Sequence, residues 1–218
     1  MLQIPPVASE QVLANEGDQN VMSVSLVRLP TGEIALFYLR KNSPADLRPV
    51  VRFSTDEAKS WSKPAQIIPD AERGYYVVNN DRVIQLGSGR LVVPAAMHVD
   101  NSPTKFAPFA EAVCFVSDDN GRHWRRGESV RVGREVASGL QEPGVVELRD
   151  GRSLMFCRTD SGAQYFAHSS DGGETWSEPH PGTLPSPLAP ASIMRIPETD
   201  DLLAVWNNNS TRAIIARR

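Results

Sequence analysis

The sequence predicts an all-β protein whose strands are grouped into repeated four-stranded units, the architecture of a β-propeller. One turn motif of eight residues occurs three times along the chain. The turn glycines Gly32, Gly89 and Gly151 each follow the first strand of a unit, at spacings of 57 and 62 residues. No long segment has the 3.6-residue hydrophobic period of a helix. Repeats of this length, each with about four short strands, are typical of propeller blades.

The turn motif is most complete from Ser169 to Trp176, where it reads S-S-D-G-G-E-T-W. An Asp at the third position can accept hydrogen bonds from later backbone amides, and a Gly at the fifth adopts positive φ without strain. The Thr hydroxyl can tie the far side of the turn, and the Trp can return to the core. The other copies run from Ser117 to Trp124 and from Ser54 to Trp61, and the aspartates of successive copies are 63 and 52 residues apart.

The strands around these motifs recur in the same order. The sequence predicts them from Val21 to Leu29, Ile34 to Leu39, Val50 to Phe53 and Ala65 to Ile68; from Arg82 to Leu86, Leu91 to Met97 and Ala112 to Val116; from Gly144 to Leu148, Ser153 to Cys157 and Gln164 to His168; and from Ala191 to Ile196, Leu202 to Trp206 and Arg212 to Ala216. We expect one propeller domain over residues 1–218, with blades at 21–70, 77–130, 140–183 and 190–218. Closed propellers need roughly four to eight blades. Three full blades and part of a fourth therefore predict the N-terminal part of a longer protein or, alternatively, two copies that close one ring.

Composition excludes several classes of partner. The formal net charge of −3 gives no electrostatic basis for binding nucleic acid or an anionic membrane. No apolar run approaches the roughly 20 residues that span a bilayer. Residues 1–20 lack the pattern of a signal peptide, so a cytoplasmic location is the default, and a secreted or periplasmic one follows if the N-terminus was trimmed. Cys114 and Cys157 fall in apolar strands and indicate buried free thiols, although a disulfide between them stays open. The sequence does not predict the oligomeric state.

Sites in propellers form where the innermost strands approach the axis. Ser23, Asn80 and Glu142 each stand nine residues before a turn glycine. In the second unit a polar cluster from Asn79 to Arg82 directly precedes an apolar strand. We predict that Asn80, Asp81 and Arg82 bind substrate, with a solvated strand end as the alternative.

The S-x-D-x-G-x-T-W pattern resembles the Asp box, or BNR repeat, of the sialidase (neuraminidase) superfamily, and the resemblance covers nearly the whole chain. In that family each box closes a hairpin on the outer part of a propeller blade, away from the active site. The resemblance therefore implies a propeller of sialidase type, six-bladed when complete. It also implies that the boxes report the fold and carry no chemistry.

The same resemblance implies a set of site residues. The segment from Leu140 to Arg158 is similar to a sialidase motif in which a Glu activates a tyrosine nucleophile and an Arg binds the substrate carboxylate. Those positions are Glu142 and Arg158 here, and a surface carboxylate and an exposed strand end are the alternatives. Asp46, on the long loop expected before the first box, matches the acid/base catalyst or is a solvated turn residue. Arg40 matches an arginine lining the site. Arg212 matches the last carboxylate-binding arginine or is a plain strand residue.

Two departures from the family pattern affect the function. The signature R-I-P-S-L reads M-S-V-S-L here, so Met22 takes the place of the first arginine of the family triad. No tyrosine of the chain matches the nucleophile, which is expected in a later blade beyond Arg218.

The resemblance implies a sialidase-like exo-glycosidase that removes terminal sialic or other acidic sugars from glycans, although the 218 residues alone are not expected to hold the full catalytic set. A carbohydrate-binding propeller without catalysis is the alternative, and Met22 and the missing tyrosine favour it. A scaffold for protein partners is a third possibility, because fold does not fix function. The four His are scattered and no phosphate-binding glycine loop occurs, so neither a metal nor a cofactor is expected.

Overall fold

The computed structural model describes residues 14–209 as an all-β chain, which confirms the predicted fold class. Among these described residues, fifteen strands follow one another, and a 3₁₀ turn spans Asp70–Glu72. Within the described residues there is no α-helix, and hence no helix that could cross a bilayer. The strand predicted from Arg212 to Ala216 lies outside the described residues.

The first four strands form one antiparallel sheet in sequence order, which we call blade 1. They are β1 (Asn20–Arg28), β2 (Ile34–Ser43), β3 (Asp46–Ser54) and β4 (Ala65–Gln66). Gly32, at φ +87°, makes the turn from β1 to β2, and its N–H donates to Leu29 O at 2.9 Å. Most of β3 and the middle of β2 are buried on both faces. This burial explains why β2 begins with a continuous apolar run, Ile34 to Leu39, instead of an alternating one.

Blade 2 has a divided inner edge. Its strands are β5 (Tyr76–Val77), β6 (Ile84–Gln85), β7 (Leu91–His98), β8 (Ala110–Ser117) and β9 (Arg125–Arg126). Both β5 and β6 pair with β7. The strand predicted from Arg82 to Leu86 is therefore present as β6 but is shorter than predicted, and β5 is an additional strand before the polar cluster. The polar cluster that begins at Asn79 separates the two pieces, because Asp81 has φ +54° and interrupts regular strand geometry.

Blade 3 repeats the plan of blade 1. It contains β10 (Gln141–Glu147), β11 (Ser153–Arg158), β12 (Ala163–Ser169) and β13 (His180–Pro185), and it is followed by the pair β14 (Ser192–Arg195) and β15 (Leu202–Val205), which begins blade 4. Gly89 and Gly151, at φ +88° and +82°, make the turns equivalent to that at Gly32. Successive four-stranded meanders of this kind are propeller blades.

Apolar side chains between neighbouring blades form the core. Phe53 of blade 1 and Phe115 of blade 2 belong to one buried cluster, and Cys114 of blade 2 and Met155 of blade 3 belong to another. Burying a large apolar side chain contributes roughly 1.5–3 kcal/mol, so contact between blades accounts for much of the stability. Cys114 and Cys157 are buried free thiols, as predicted, and burial raises the pKa of each.

The third turn motif folds as its sequence predicts. Asp171 accepts hydrogen bonds from the backbone N–H groups of Glu174 and Thr175, each at 3.0 Å, and from the Thr175 hydroxyl at 2.5 Å. Gly173 has φ +95°. The indole N–H of Trp176 donates to Gly173 O at 3.2 Å, and its ring packs on the cluster between blades 2 and 3.

The first turn motif differs from the other two in the residue at the glycine position and in the hydrogen bond of its Trp. Ala58 stands in the glycine place at φ +63°, a left-handed conformation that costs a residue with a Cβ about 1 kcal/mol or more. The buried indole N–H of Trp61 has no hydrogen-bond partner among the described residues. In the second motif Trp124 donates to Gly121 O at 3.0 Å.

The long loop expected before the first motif does not exist. The strands β2 and β3 continue through this region and leave only residues 44–45 for the turn. In the ladder Arg40 lies opposite Arg48, and Ser43 lies opposite Asp46. These polar residues resemble a loop in sequence, but they extend a hairpin because Asp46 and Arg48 form an ion pair along the strand. Asp46 is therefore the first residue of β3.

Candidate functional site

The inner edges of blades 1 to 3 each contain a left-handed residue at nearly the same level. Ser23, Asp81 and Glu142 have φ of +58°, +54° and +47°. The ladders of β1 and β10 also shift register at this point. Positive φ is unfavourable for residues with a Cβ, and bulges of this kind are frequent beside active sites, where they re-aim a side chain. The bends therefore mark this level of the propeller as a candidate site.

Glu142 and Arg158 form an ion pair across the first two strands of blade 3. Arg158 Nη2 donates to Glu142 Oε1 at 3.1 Å. Arg158 Nε lies 3.0 Å from Oε2 without the alignment of a hydrogen bond. Arg158 Nη1 also donates to Leu188 O at 3.2 Å. Both charged side chains are about four-fifths buried, at 20% and 21% exposed, so the pair is partly shielded from water but still reachable. The structure brings these two predicted site residues together.

Asn79 reaches Glu142 from the neighbouring blade. Its Nδ2 donates to Glu142 Oε2 at 3.3 Å, and its Oδ1 accepts from the backbone N–H of Asn80 at 2.9 Å. The side chain of Asn80 turns the other way and accepts from Val24 N at 3.0 Å. Sequence reasoning singled out the polar cluster but did not assign Asn79 to the site. The signal that could have found it is its position beside Asn80, one residue further from the turn glycine.

Three aromatic side chains lie beside the ion pair of Glu142 and Arg158. Tyr75, His98 and Phe106 line a cavity of about 250 Å³ together with Glu142 and Arg158. The ring of Tyr75 lies 5.6 Å from that of His98 and 5.5 Å from that of Phe106, both edge-on. Burial lowers the pKa of His98, whose Nδ1 lies 2.9 Å from Ala107 O. Aromatic faces next to charged groups suit a sugar ring, which has both apolar and polar sides. Sequence reasoning missed His98 and Phe106.

Asp46 lies in a second cavity, of about 600 Å³, which Arg40 also lines. Asp46 Oδ1 accepts from Arg48 Nε at 2.7 Å, and Oδ2 accepts from Asn42 Nδ2 at 2.9 Å. Arg73 Nε is 3.6 Å from Oδ2. Both carboxylate oxygens of Asp46 are therefore occupied, and donation of a proton to a substrate requires one of these contacts to be released.

Tyr75, which lines the cavity of Glu142, contacts the hairpin that carries Asp46. Leu47, the residue after Asp46, forms a parallel bridge with Tyr75, and its N–H donates to Gly74 O at 3.0 Å. Lys41, the residue after Arg40, places its ammonium 5.8 Å from the centre of the Tyr75 ring. The structure therefore brings Glu142 and Arg158 together in one cavity and Asp46 and Arg40 together in another.

Asp81 and Arg82 line a different cavity, of about 330 Å³, which extends to Gly144 and Arg195. The side chain of Arg82 is buried, its Nη2 donates to Ala191 O at 2.5 Å, and its Cζ lies 5.2 Å from the centre of the Phe156 ring. Burial lowers the pKa of Arg82. The structure does not bring Arg82 into the cavity of Glu142, so its substrate-binding role stays a prediction, as do those of Asn80 and Asp81.

Met22 and Arg212 are the remaining positions that the sequence related to the site. Met22 is partly buried and packs on the apolar cluster between blades 1 and 2, so an apolar side chain occupies the place of the family arginine. Arg212 lies outside the described residues. Within residues 14–209, no group of three or more His, Cys, Asp or Glu side chains is placed to hold a metal ion.

Comparisons of sequence connect the chain with known proteins. A family model described as a BNR repeat-like domain matches residues 6–217. A sialidase of Micromonospora viridifaciens is 36% identical over 168 residues, which are 70% of this chain and 24% of that protein. A sialidase of Bacteroides fragilis is 28% identical over 176 residues, which are 75% of this chain and 30% of that protein. The chain thus spans less than a third of the length of these two relatives.

Comparisons of structure agree with the sequence matches. A Hadza microbial sialidase superposes with a TM-score of 0.65 at 21% identity, over 82% of this chain and 37% of that one. An intramolecular trans-sialidase from Ruminococcus gnavus superposes with a TM-score of 0.56 at 25% identity, over 70% of this chain and 30% of that one. These likenesses confirm a β-propeller of sialidase type.

Proposed function

The chain belongs to the BNR repeat-like family, and we propose that it forms part of a sialidase-like glycoside hydrolase that removes terminal sialic or other acidic sugars from glycans. One observation carries the proposal. The carboxylate of Glu142 is paired with Arg158 inside a cavity of about 250 Å³ that aromatic rings line. A fixed carboxylate, a cation and an aromatic face are the elements needed to bind and cleave an acidic sugar.

In this proposal Glu142 acts as the base. The nucleophile implied by the resemblance is a tyrosine, which is weak until a neighbouring group takes its proton. Such enzymes are an exception to the scheme in which two carboxylates flank the glycosidic bond. No tyrosine of this chain matches that position, so the proposal assigns no nucleophile within it.

Arg158 and Arg40 would bind the acidic group of the sugar. Arg158 offers the remainder of its fork beside Glu142, and an Arg fork matches a carboxylate in a bidentate manner. Arg40 forms no ion pair with any carboxylate in residues 14–209 and lines the neighbouring cavity, so it is available for an anion. Asp46 would serve as the acid/base group after release of one of its present contacts.

Incubation of the full-length protein with matched oligosaccharides tests this function. The substrates are glycans that end in sialic acid, in a uronic acid or in the corresponding neutral sugar, with the released sugar followed by mass spectrometry. We expect release of a terminal acidic sugar and no release of the neutral one. Release of the neutral sugar alone, or neither release nor binding, contradicts the proposal.

A second candidate is a carbohydrate-binding propeller without catalysis. Met22 packs into the core where the family has an arginine, and both oxygens of Asp46 are already engaged. Those two observations favour binding over turnover. The same incubation separates the candidates, because saturable binding of the acidic glycan with no product over a long period identifies the binding protein.

A further inference from the structure

The orientation of the Asn79 amide is fixed by the chain itself. Its oxygen must face the backbone N–H of Asn80, 2.9 Å away, because that group can only donate. The NH₂ group then faces Glu142 Oε2 at 3.3 Å, which is the donor that a carboxylate requires. The two contacts agree on one rotamer of the amide, so exchange of its nitrogen and oxygen would lose both.

Glu142 needs support from outside its own strand. Its backbone has φ +47° within a bulge, so the ladder of β10 does not hold this residue as it holds its neighbours. On one side Arg158 contacts both carboxylate oxygens. On the other side Asn79 supplies the contact from blade 2. The carboxylate thus lies between donors from two blades.

We propose that Asn79 is a positioning residue. It holds the carboxylate of Glu142 in the orientation from which that carboxylate accepts a proton. The catalytic part of this inference rests on the proposed function. A donor on the carboxylate stabilises its charged form, and a fixed donor also limits rotation of the side chain. The other charged or titratable groups around Glu142 are Arg158 on β11, His98 at the end of β7, Tyr75 before β5, and Arg82 before β6.

Two substitutions separate this role from a structural one. Asn79→Ser keeps an oxygen that can accept from Asn80 N but is too short to reach Glu142. Asn79→Asp keeps the shape of the side chain but replaces the donor by a second carboxylate. Asn120→Asp is the matched control, since it makes the same change of charge within the second turn motif, remote from the site.

Steady-state kinetics of the full-length protein give the first readout. We expect Asn79→Ser to lower kcat about tenfold with KM within about twofold, the size expected for a lost hydrogen bond to a charged group. We expect Asn79→Asp to move the acid limb of the kcat profile to higher pH, because like charges oppose ionisation. If the Asn79 variants have the same kcat and the same acid limb as Asn120→Asp, the positioning role of Asn79 is overturned. The proposed glycosidase activity is not affected by that result.

A second readout does not depend on activity. The carboxyl carbon of Glu142, labelled with ¹³C and assigned through Glu142→Gln, is titrated by NMR in the wild type, in Asn79→Asp and in Asn120→Asp. An upward move of the midpoint in Asn79→Asp alone supports the contact even if no sugar is released by the wild type. Coincident midpoints in all three proteins overturn the proposal. A thermal midpoint measured for each variant shows that it is folded.

Discussion

Arg158 forms an ion pair with the carboxylate of Glu142, with Nη2 3.1 Å from Oε1 and Nε 3.0 Å from Oε2. Arg158 ends β11 and Glu142 is the second residue of β10, so the hairpin of blade 3 brings them to the same end of the blade. With each side chain about four-fifths buried, loss of either partner leaves the other charge partly desolvated and unpaired. Substitution of either residue is therefore expected to affect the other.

Arg158→Lys tests the contribution of the guanidinium fork. Lysine keeps the positive charge but cannot make two parallel contacts with a carboxylate. We expect affinity for the acidic glycan to fall about tenfold, which corresponds to the loss of one charge-assisted hydrogen bond. Affinity is measured by calorimetry. Arg152→Lys, on the exposed end of the same hairpin, is the control, and an equal loss in both variants argues against a role for Arg158 in binding.

The glycine position of the turn motifs supports a reciprocal test. Ala58→Gly relieves a left-handed backbone in the first motif, and we expect it to raise the free energy of unfolding by about 0.5–1 kcal/mol. Gly121 has the same left-handed conformation in the second motif, at φ +82°. Gly121→Ala adds a Cβ there, which would meet Phe53 Cζ at 3.3 Å. We expect a loss of about 1 kcal/mol or more. Urea unfolding measures both, and a stabilised Gly121→Ala contradicts this explanation of the motif.

The aspartates of the motifs predict a dependence of stability on pH. Burial acts to raise the pKa of Asp171, but hydrogen bonds from Thr175 and Ser169 outweigh it and lower the pKa from 3.8 to about 2. A lowered pKa stabilises the folded state above the unfolded value, and the effect is lost as pH falls through about 2. We expect Asp171→Asn to cost about 1 kcal/mol at pH 7, after allowance for screening by solvent. The cost should shrink as pH falls from 4 towards 2.

Urea unfolding at pH 7, 4 and 3 measures this dependence for the wild type and Asp171→Asn. Asp201→Asn, an exposed carboxylate outside the motifs, is the control. A stability difference for Asp171→Asn that stays constant over this range shows that ionisation of the carboxylate is not what the motif uses.

Arg82 is predicted to contribute to stability. Its guanidinium donates to the carbonyl of the buried residue Ala191 and so ties blade 2 to the start of blade 4. Arg82→Met keeps the apolar stem but leaves this carbonyl unpaired, which costs roughly 1–3 kcal/mol. Urea unfolding measures the loss. Arg152→Met, at an exposed site, should stay within about 0.5 kcal/mol of the wild type, and equal effects of the two changes would refute the tie between blades.

The features that sequence predicted well are local. The turn motifs specify their own hydrogen bonds, and the pairing of Glu142 with Arg158 follows from a hairpin whose turn glycine is visible in sequence. The all-β class and the repeat follow from the same signals. In each case the partners lie within one blade, where register determines which side chains meet.

The features that sequence missed depend on packing between blades or on polar strands. The contact from Asn79 to Glu142 crosses between blades, so the sequence marks the polar cluster of Asn79 but not the partner of its side chain. His98 reaches the site at the end of β7, and Phe106 reaches it because the connection after β7 folds back to Tyr75. Asp46 was expected on a loop because its segment is polar, whereas ion pairing with Arg48 allows the hairpin to continue.

The most direct measurement of the central claim compares kcat of the full-length wild type with that of Glu142→Gln on a glycan ending in an acidic sugar, with Glu198→Gln as the exposed control. Loss of a general base lowers rates by about 10²–10⁴-fold. We expect kcat to fall at least about a hundredfold in a folded Glu142→Gln protein and to stay unchanged in Glu198→Gln. Wild-type turnover in a folded Glu142→Gln protein would show that Glu142 is not the base.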